Sequence, residues 1–158
     1  MTGFMSVRLD DQDLGYQKIM DSINDIISKE AHTGFFQEDV VDGIGLAELM
    51  AVHEFGSPVR NIPERSAMRT SFDTKEREIT DFMFQVGDVA IFENKTTTDQ
   101  ALTAIGDYYR AEFQNGVITK SLGLAENAPR TISRKGSDTP LVDTARLVNG
   151  INTKVVDK

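Results

Sequence analysis

Thr97-Thr-Asp-Gln100 opens TTDQALTAIGDYYRAEFQNG, the stretch from which the rest of the fold is read. A threonine followed three residues later by glutamine is a capping box, in which each side chain satisfies the other's backbone N–H at a helix start. Leu102, Ile105, Tyr109 and Phe113 then recur at spacings of three and four, one stripe of an amphipathic helix ending near Asn115-Gly116.

Working toward the N-terminus, Asp73-Thr-Lys-Glu76 resembles a second capping box. It predicts a break between a short helix over 64–73, with Met68 and Phe72 inward, and a longer one carrying Ile79, Phe82, Met83, Val86 and Ala90 to about Phe92. Ser57-Pro58 and Ile62-Pro63 force an extended connection, because a residue before proline is pushed out of helical angles. Leu46 to Phe55 reads as a short helix with Gly56 at a left-handed C-cap. His32 to Val41 has strand propensity, and Asp42-Gly43 is a turn signal. Leu14 to Ile27 is an amphipathic helix with Tyr16, Ile19, Met20, Ile23, Ile26 and Ile27 on one stripe, preceded by capping candidates Asp10, Asp11 and Asp13.

Working toward the C-terminus, periodicity disappears. Pro129, Gly123, Gly136 and basic residues predict a long extended arm near residues 117–140. Leu141 to Leu147 suits a turn of helix, and the alternation of Ile151, Thr153 and Val155 with their neighbours suits a strand with one buried face.

The length of 158 residues fits a single domain, 1–158, able to bury a core without staples. Cysteine is absent, which excludes disulfide frameworks, thiolate metal sites and cysteine nucleophiles. No apolar run is long enough to span a bilayer and no secretory pattern opens the chain, so synthesis in the cytoplasm is the expectation, without a membrane partner. The formal net charge is −8. Residues 10–48 hold ten acidic side chains against Lys18 and Lys29, whereas residues 120–158 hold seven basic against four acidic. An acidic body opposes sequence-independent DNA binding, which needs several cations near phosphates. Polarity between the two ends suits head-to-tail contact between copies, with Arg130, Arg134 and Lys135 as a docking arm.

Catalytic motifs are few. His53-Glu54 begins like the zinc-helix pattern, but position 57 is Ser, so no second histidine follows one turn later. Asp143-Thr144-Ala145 is similar to the aspartic-protease loop, which needs two carboxylates sharing a proton. Arg146 directly after it would keep such a carboxylate ionised. No phosphate-binding or nucleophile-elbow glycine motif occurs. The reading is therefore not an enzyme, with no catalytic, cofactor or metal site.

Two segments taken together resemble a known family. Ala51-Val-His-Glu-Phe-Gly-Ser57 with Ile62-Pro-Glu-Arg65, then Ala128-Pro-Arg-Thr-Ile-Ser-Arg-Lys-Gly136 with Pro140-Leu-Val-Asp-Thr-Ala-Arg-Leu147 and Ile151, are similar to signatures of tailed-bacteriophage neck and tail-completion proteins, the virion-morphogenesis, minor-tail-component group. The resemblance covers about residues 31–156. It implies an α+β subunit, a small antiparallel sheet packed against several helices. It also implies a structural virion protein, assembled as a homohexameric ring at the head–tail junction, through which DNA passes without specific binding. Head-side connector or stopper proteins and tail terminator or tail-tube proteins would be its neighbours. The alternatives are a tail terminator or another tail-tube-proximal ring, and, further off, a phage-encoded hydrolase using Asp143. His53, Glu54, Phe55, Gly56, Pro63, Arg65, Pro140, Leu141, Asp143, Thr144, Arg146 and Leu147 are the motif's structural or inter-subunit positions. Arg65 and Arg146 should meet carboxylates or backbone carbonyls where the two motifs join, and Phe55, Ile62, Leu141, Leu147 and Ile151 should be core. Ala145 replaces the family's usual glycine, which predicts a backbone without positive φ there. Asp11, Asp13, Asp21 and Asp25 form a possible acidic channel face.

Overall fold

The computed structural model describes residues 14–158 apart from 42, 94, 143 and 144. Asp11, Asp13, Asp143 and Thr144 therefore lie outside the described residues. Among those described, six helices and two small antiparallel strand pairs make an α+β fold.

The centre is α4, Thr98–Ile118, whose N-terminus is the capping box expected. The Gln100 amide donates to the Thr97 hydroxyl at 3.2 Å, and the Thr97 amide donates to the Gln100 side chain at 3.1 Å. The helix does not stop at Asn115-Gly116. Gly116 lies inside it, where a Cβ would stand 2.9 Å from the Leu122 side chain. Alongside lies α3, Ala67–Ile91, packed by a Phe72–Tyr109 edge contact and a Phe82–Tyr108 stack. It is one helix, not two. The local box at Asp73 loses because the chain is already helical there, with the Thr74 hydroxyl donating to the Thr70 carbonyl at 2.6 Å.

On another face of α4 sits the main sheet, β1 (Lys29–Gly34) antiparallel to β4 (Asn152–Asp157), in register from Lys29 opposite Asp157 to Gly34 opposite Asn152. Gly106 allows the approach. A Cβ there would stand 2.7 Å from the Thr153 hydroxyl, which is itself 3.1 Å from that of Thr33. A second pair, β2 (Val40–Val41) and β3 (Ile44–Gly45), leads into α2, Leu46–Phe55. α1, Tyr16–Ile27, packs on α3, β1 and α4, yet buries no residue fully; Leu14 before it is 92% exposed and Tyr16 69%.

Phe113, Val117, Val148 and Ile151 form the buried centre, with Leu46, Met50, Leu141 and Leu147 around them. Phe55 is not core: it is 70% exposed, because Leu46, Met50 and Glu54 occupy the inward row of α2 at spacings of four. Ile62 is half-buried. Nor are residues 117–140 an extended arm. Val117 and Ile118 finish α4, and Pro129–Lys135 fold as α5. α6, Arg146–Asn149, then leads into β4.

Candidate functional site: a cationic cleft

The segment 53–65 is a folded clamp. Gly56 takes φ 70°, ψ 175°, a conformation for glycine but not the left-handed cap expected, and a Cβ there would lie 2.8 Å from the Glu64 nitrogen. The chain then makes a 3-10 turn at Pro58–Arg60 and returns through paired hydrogen bonds, Ser57 amide to Ile62 carbonyl at 2.9 Å and the reverse at 3.0 Å. Asn61 closes the turn with φ 52°, which asparagine tolerates. The Arg65 amide donates to the His53 carbonyl at 2.7 Å, sealing the loop onto α2.

Two charged side chains of this clamp turn inward. Glu54 is buried, and its carboxylate accepts from the Met68 and Arg69 amides, both at 3.0 Å, so α2 supplies the N-terminal cap of α3. Arg65 is buried as well. Its Nε donates to the Ala125 carbonyl at 2.7 Å and a terminal nitrogen to the Glu126 carbonyl at 3.0 Å. Burial lowers its pKa, and these carbonyls compensate its lost hydration. Arg65 thus ties the first segment to the approach of the second, 60 residues later.

The second segment is held by Asn127, buried and missed in the sequence, whose side-chain amide donates to the Asp138 and Thr139 carbonyls at 3.3 and 3.1 Å. That closes a loop containing α5. No local signal marks Asn127, because its partners are backbone groups brought near by the fold. Lys120 is drawn off by Asp138 at 2.6 Å, which lowers the Asp138 pKa. Beyond the buried Pro140, Leu141 takes φ 61° while burying its side chain. Ala145 takes φ 57°, so the backbone does adopt positive φ where the sequence reading expected none. The reason is local: Ala145 is the N-cap of α6, and its carbonyl accepts from Asn149 at 2.9 Å while the chain reverses into that helix.

Between clamp and loop lies a cleft of about 970 Å3. His53, Pro63 and Arg65 face it from the first segment; Arg134, Lys135, Leu141, Arg146 and Leu147 face it from the second. Its floor is apolar, including Leu46, Leu49 and Leu147. Glu126 is the only carboxylate among its described lining residues, against four Lys and Arg. The described lining is therefore predominantly cationic in an acidic protein. Arg134 is an exposed side chain at its edge, whereas Arg130, on the same helix, does not line it. His53 Nδ1 is buried without a hydrogen-bond partner among the described residues. Burial, then the positive charges of Arg65 and Lys135, hold the His53 pKa below its usual value, so the ring is neutral at pH 7.

The acidic residues of α1 lie elsewhere. Asp21 and Asp25 line a smaller groove, about 450 Å3, at the N-terminal end of α4. Lys29 sits 3.4 Å from Asp25 and 2.7 Å from Asp99. A hydrogen bond from Thr98, followed by Lys29, lowers the Asp25 pKa. Among the described residues no cluster of His, Asp and Glu is arranged to hold a metal ion, and no helix is long and apolar enough to cross a membrane.

No family model matches the chain, and no curated protein or solved structure matches it significantly. The family resemblance rests on the two sequence segments themselves.

Proposed function

We propose that this protein is a structural ring subunit of the head–tail junction of a tailed bacteriophage, a neck or tail-completion protein and not an enzyme. The observation that carries the reading is the meeting of the two resembling segments. Residues 66–127, which include α3 and α4, separate them in sequence, yet Arg65 bonds the backbone at 125–126, and residues of both segments line one cleft. Shared packing is what two co-occurring signatures of one family need. The buried polar members, Glu54 and Arg65, are consumed by helix capping and backbone carbonyls, which is architecture and not catalysis.

A closed head-to-tail ring needs two different complementary faces on each subunit. α4 has 21 residues, about 30 Å at 1.5 Å per residue. The acidic groove lies at its N-terminal end, and the cleft lies toward its C-terminal end, where Gln114 donates to the Val148 carbonyl. In this reading Asp21 and Asp25 belong to an acidic channel wall that repels phosphate and lets DNA slide, and the particle is the protein's final location.

Native mass measurement and negative-stain microscopy of the purified protein, alone and with the adjoining head or tail proteins, test the reading. A closed hexameric ring is expected. A chain that stays monomeric with every such partner, and hydrolyses a substrate in a manner lost on Asp143→Asn, overturns it.

A further inference from the structure

We infer that the cationic cleft is a receptor for the acidic stretch Leu9–Tyr16 of a second copy of this chain. The inference rests on the ring reading for the supply of a neighbouring copy and goes beyond it by naming the contact.

The cleft sets the chemistry of its occupant. An apolar floor beneath a cationic rim fits a ligand that carries both aliphatic groups and carboxylates. Inorganic phosphate is far smaller than 970 Å3 and gains nothing from leucine walls. Duplex DNA gains nothing from them either, and a net charge of −8 repels it. Leu9-Asp-Asp-Gln-Asp-Leu-Gly-Tyr16 has three carboxylates, no cation, and apolar residues at both ends. Its described end is unclaimed by the subunit's own core, with Leu14 92% and Tyr16 69% exposed. A leucine so exposed beside an acidic run is a ready anchor, because burying apolar surface is favourable. The helix it leads into packs on α3, β1 and α4, whereas the cleft is built by α2, α5 and α6. Donor and receptor are therefore different faces, the heterologous geometry that a ring closes.

Within the cleft Arg65 is already committed to two carbonyls, so it contributes field, while Arg134 at the rim supplies a direct ionic contact. Lys135 and Arg146 add positive potential. α5 is thus the wall of a receptor, not an arm reaching outward. Asp11 and Asp13 then belong to the inter-subunit contact, leaving Asp21 and Asp25 to the channel.

The test is a photo-crosslink in the full chain. A benzophenone side chain replaces Leu14, and heavy- and light-isotope proteins are mixed before irradiation. Crosslinks from position 14 to residues 46–65 or 126–147, in heavy–light pairs, are expected. Their yield should fall about threefold on Asp10, Asp11 and Asp13→Asn, the worth of one exposed ion pair with Arg134, and likewise on Arg134→Glu or in high salt. Crosslinks within one chain only, or to any other surface, overturn the proposal even if a ring forms. Duplex DNA that binds the wild-type cleft and is lost on Arg134→Glu, with no crosslink at position 14, overturns it too. A chain that forms no ring but yields the expected heavy–light crosslinks at high concentration supports the contact while overturning the ring.

Discussion

Glu54→Gln isolates a buried carboxylate that joins two helices. Glu54 is 8% exposed and accepts two amides, Met68 and Arg69, each at 3.0 Å. The substitution keeps the side chain's volume and one acceptor oxygen. It turns the other oxygen into an amide that points a donor at a donor, leaving one buried N–H unpaired. Hydrogen bonds to a charged group contribute about 1.5–3 kcal/mol, and the favourable placement of negative charge at a helix start adds about 0.3–1 kcal/mol. A loss of about 2–4 kcal/mol follows, or roughly 5–15 °C in Tm for a domain of this size. Urea unfolding followed by far-ultraviolet circular dichroism, at concentrations too low for self-association, reads the change directly. Glu64→Gln is the internal control. Its carboxylate lies 3.5 Å from Arg69, and both side chains are more than half exposed, so its loss should stay under about 0.5 kcal/mol. If Glu54→Gln costs no more than Glu64→Gln, the cap does not hold α3 to α2 and the clamp is wrongly described.

Gly106→Ala should destabilise by about 1–3 kcal/mol in the same unfolding assay, because the new methyl overlaps Thr153 and Thr33 where the sheet meets α4. Gly87→Ala, in an open helical position, should stabilise by up to about 1 kcal/mol; a loss there would mean that α3 is not a regular helix at that point. Ala145→Gly should stabilise by about 0.5–1 kcal/mol, since glycine adopts φ 57° without a Cβ clash. For His53 the folded pKa lies below its unfolded value of about 6.5, so the unfolded chain binds the proton first. Stability from this group is complete above about pH 6.5 and is lost as pH falls from there toward the folded pKa. His53→Gln should flatten that part of the stability profile, and an unchanged slope would place the titration elsewhere.

What could be read in advance was whatever is decided within a few residues. The Thr97 capping box needs only Gln100, the Leu46–Phe55 helix needs its own periodicity, and the strand after Ile151 needs alternation; all three stand in the fold. Even α5 had local punctuation, Pro129 at its first turn and Gly136 with φ 70° just after it, but seven residues are too few for a hydrophobic period to rise above loop composition. The failures have one cause. At Asp73 a sound local box was present, and it lost because the helix capped by Glu54 about two turns earlier runs straight through it without a break. At Phe55 hydrophobicity pointed inward, but the row of Leu46, Met50 and Glu54 had already fixed which face of α2 is buried.

The site was less legible than the fold for the same reason, carried further. A cleft is a property of two chain segments at once, and its residues acquire roles only when loops close over long separations. For Arg65 the sequence leaves carboxylates and backbone carbonyls both open; the fold supplies the carbonyls of Ala125 and Glu126, some 60 residues away. His53, already taken out of a metal helix by Ser57, lies half-buried in the last turn of α2, and burial with Arg65 and Lys135 nearby lowers its pKa, which no local pattern marks. Arg134 and Lys135 look like a free basic tail, yet Asn127 pins the ends of their loop, and so α5 holds their charge at a cleft with apolar lining. A mobile arm would lose side-chain and backbone freedom each time it docked, whereas a wall already fixed by folding does not. That difference is why the C-terminal segment is better suited to receive an acidic strand than to act as one half of a flexible handshake.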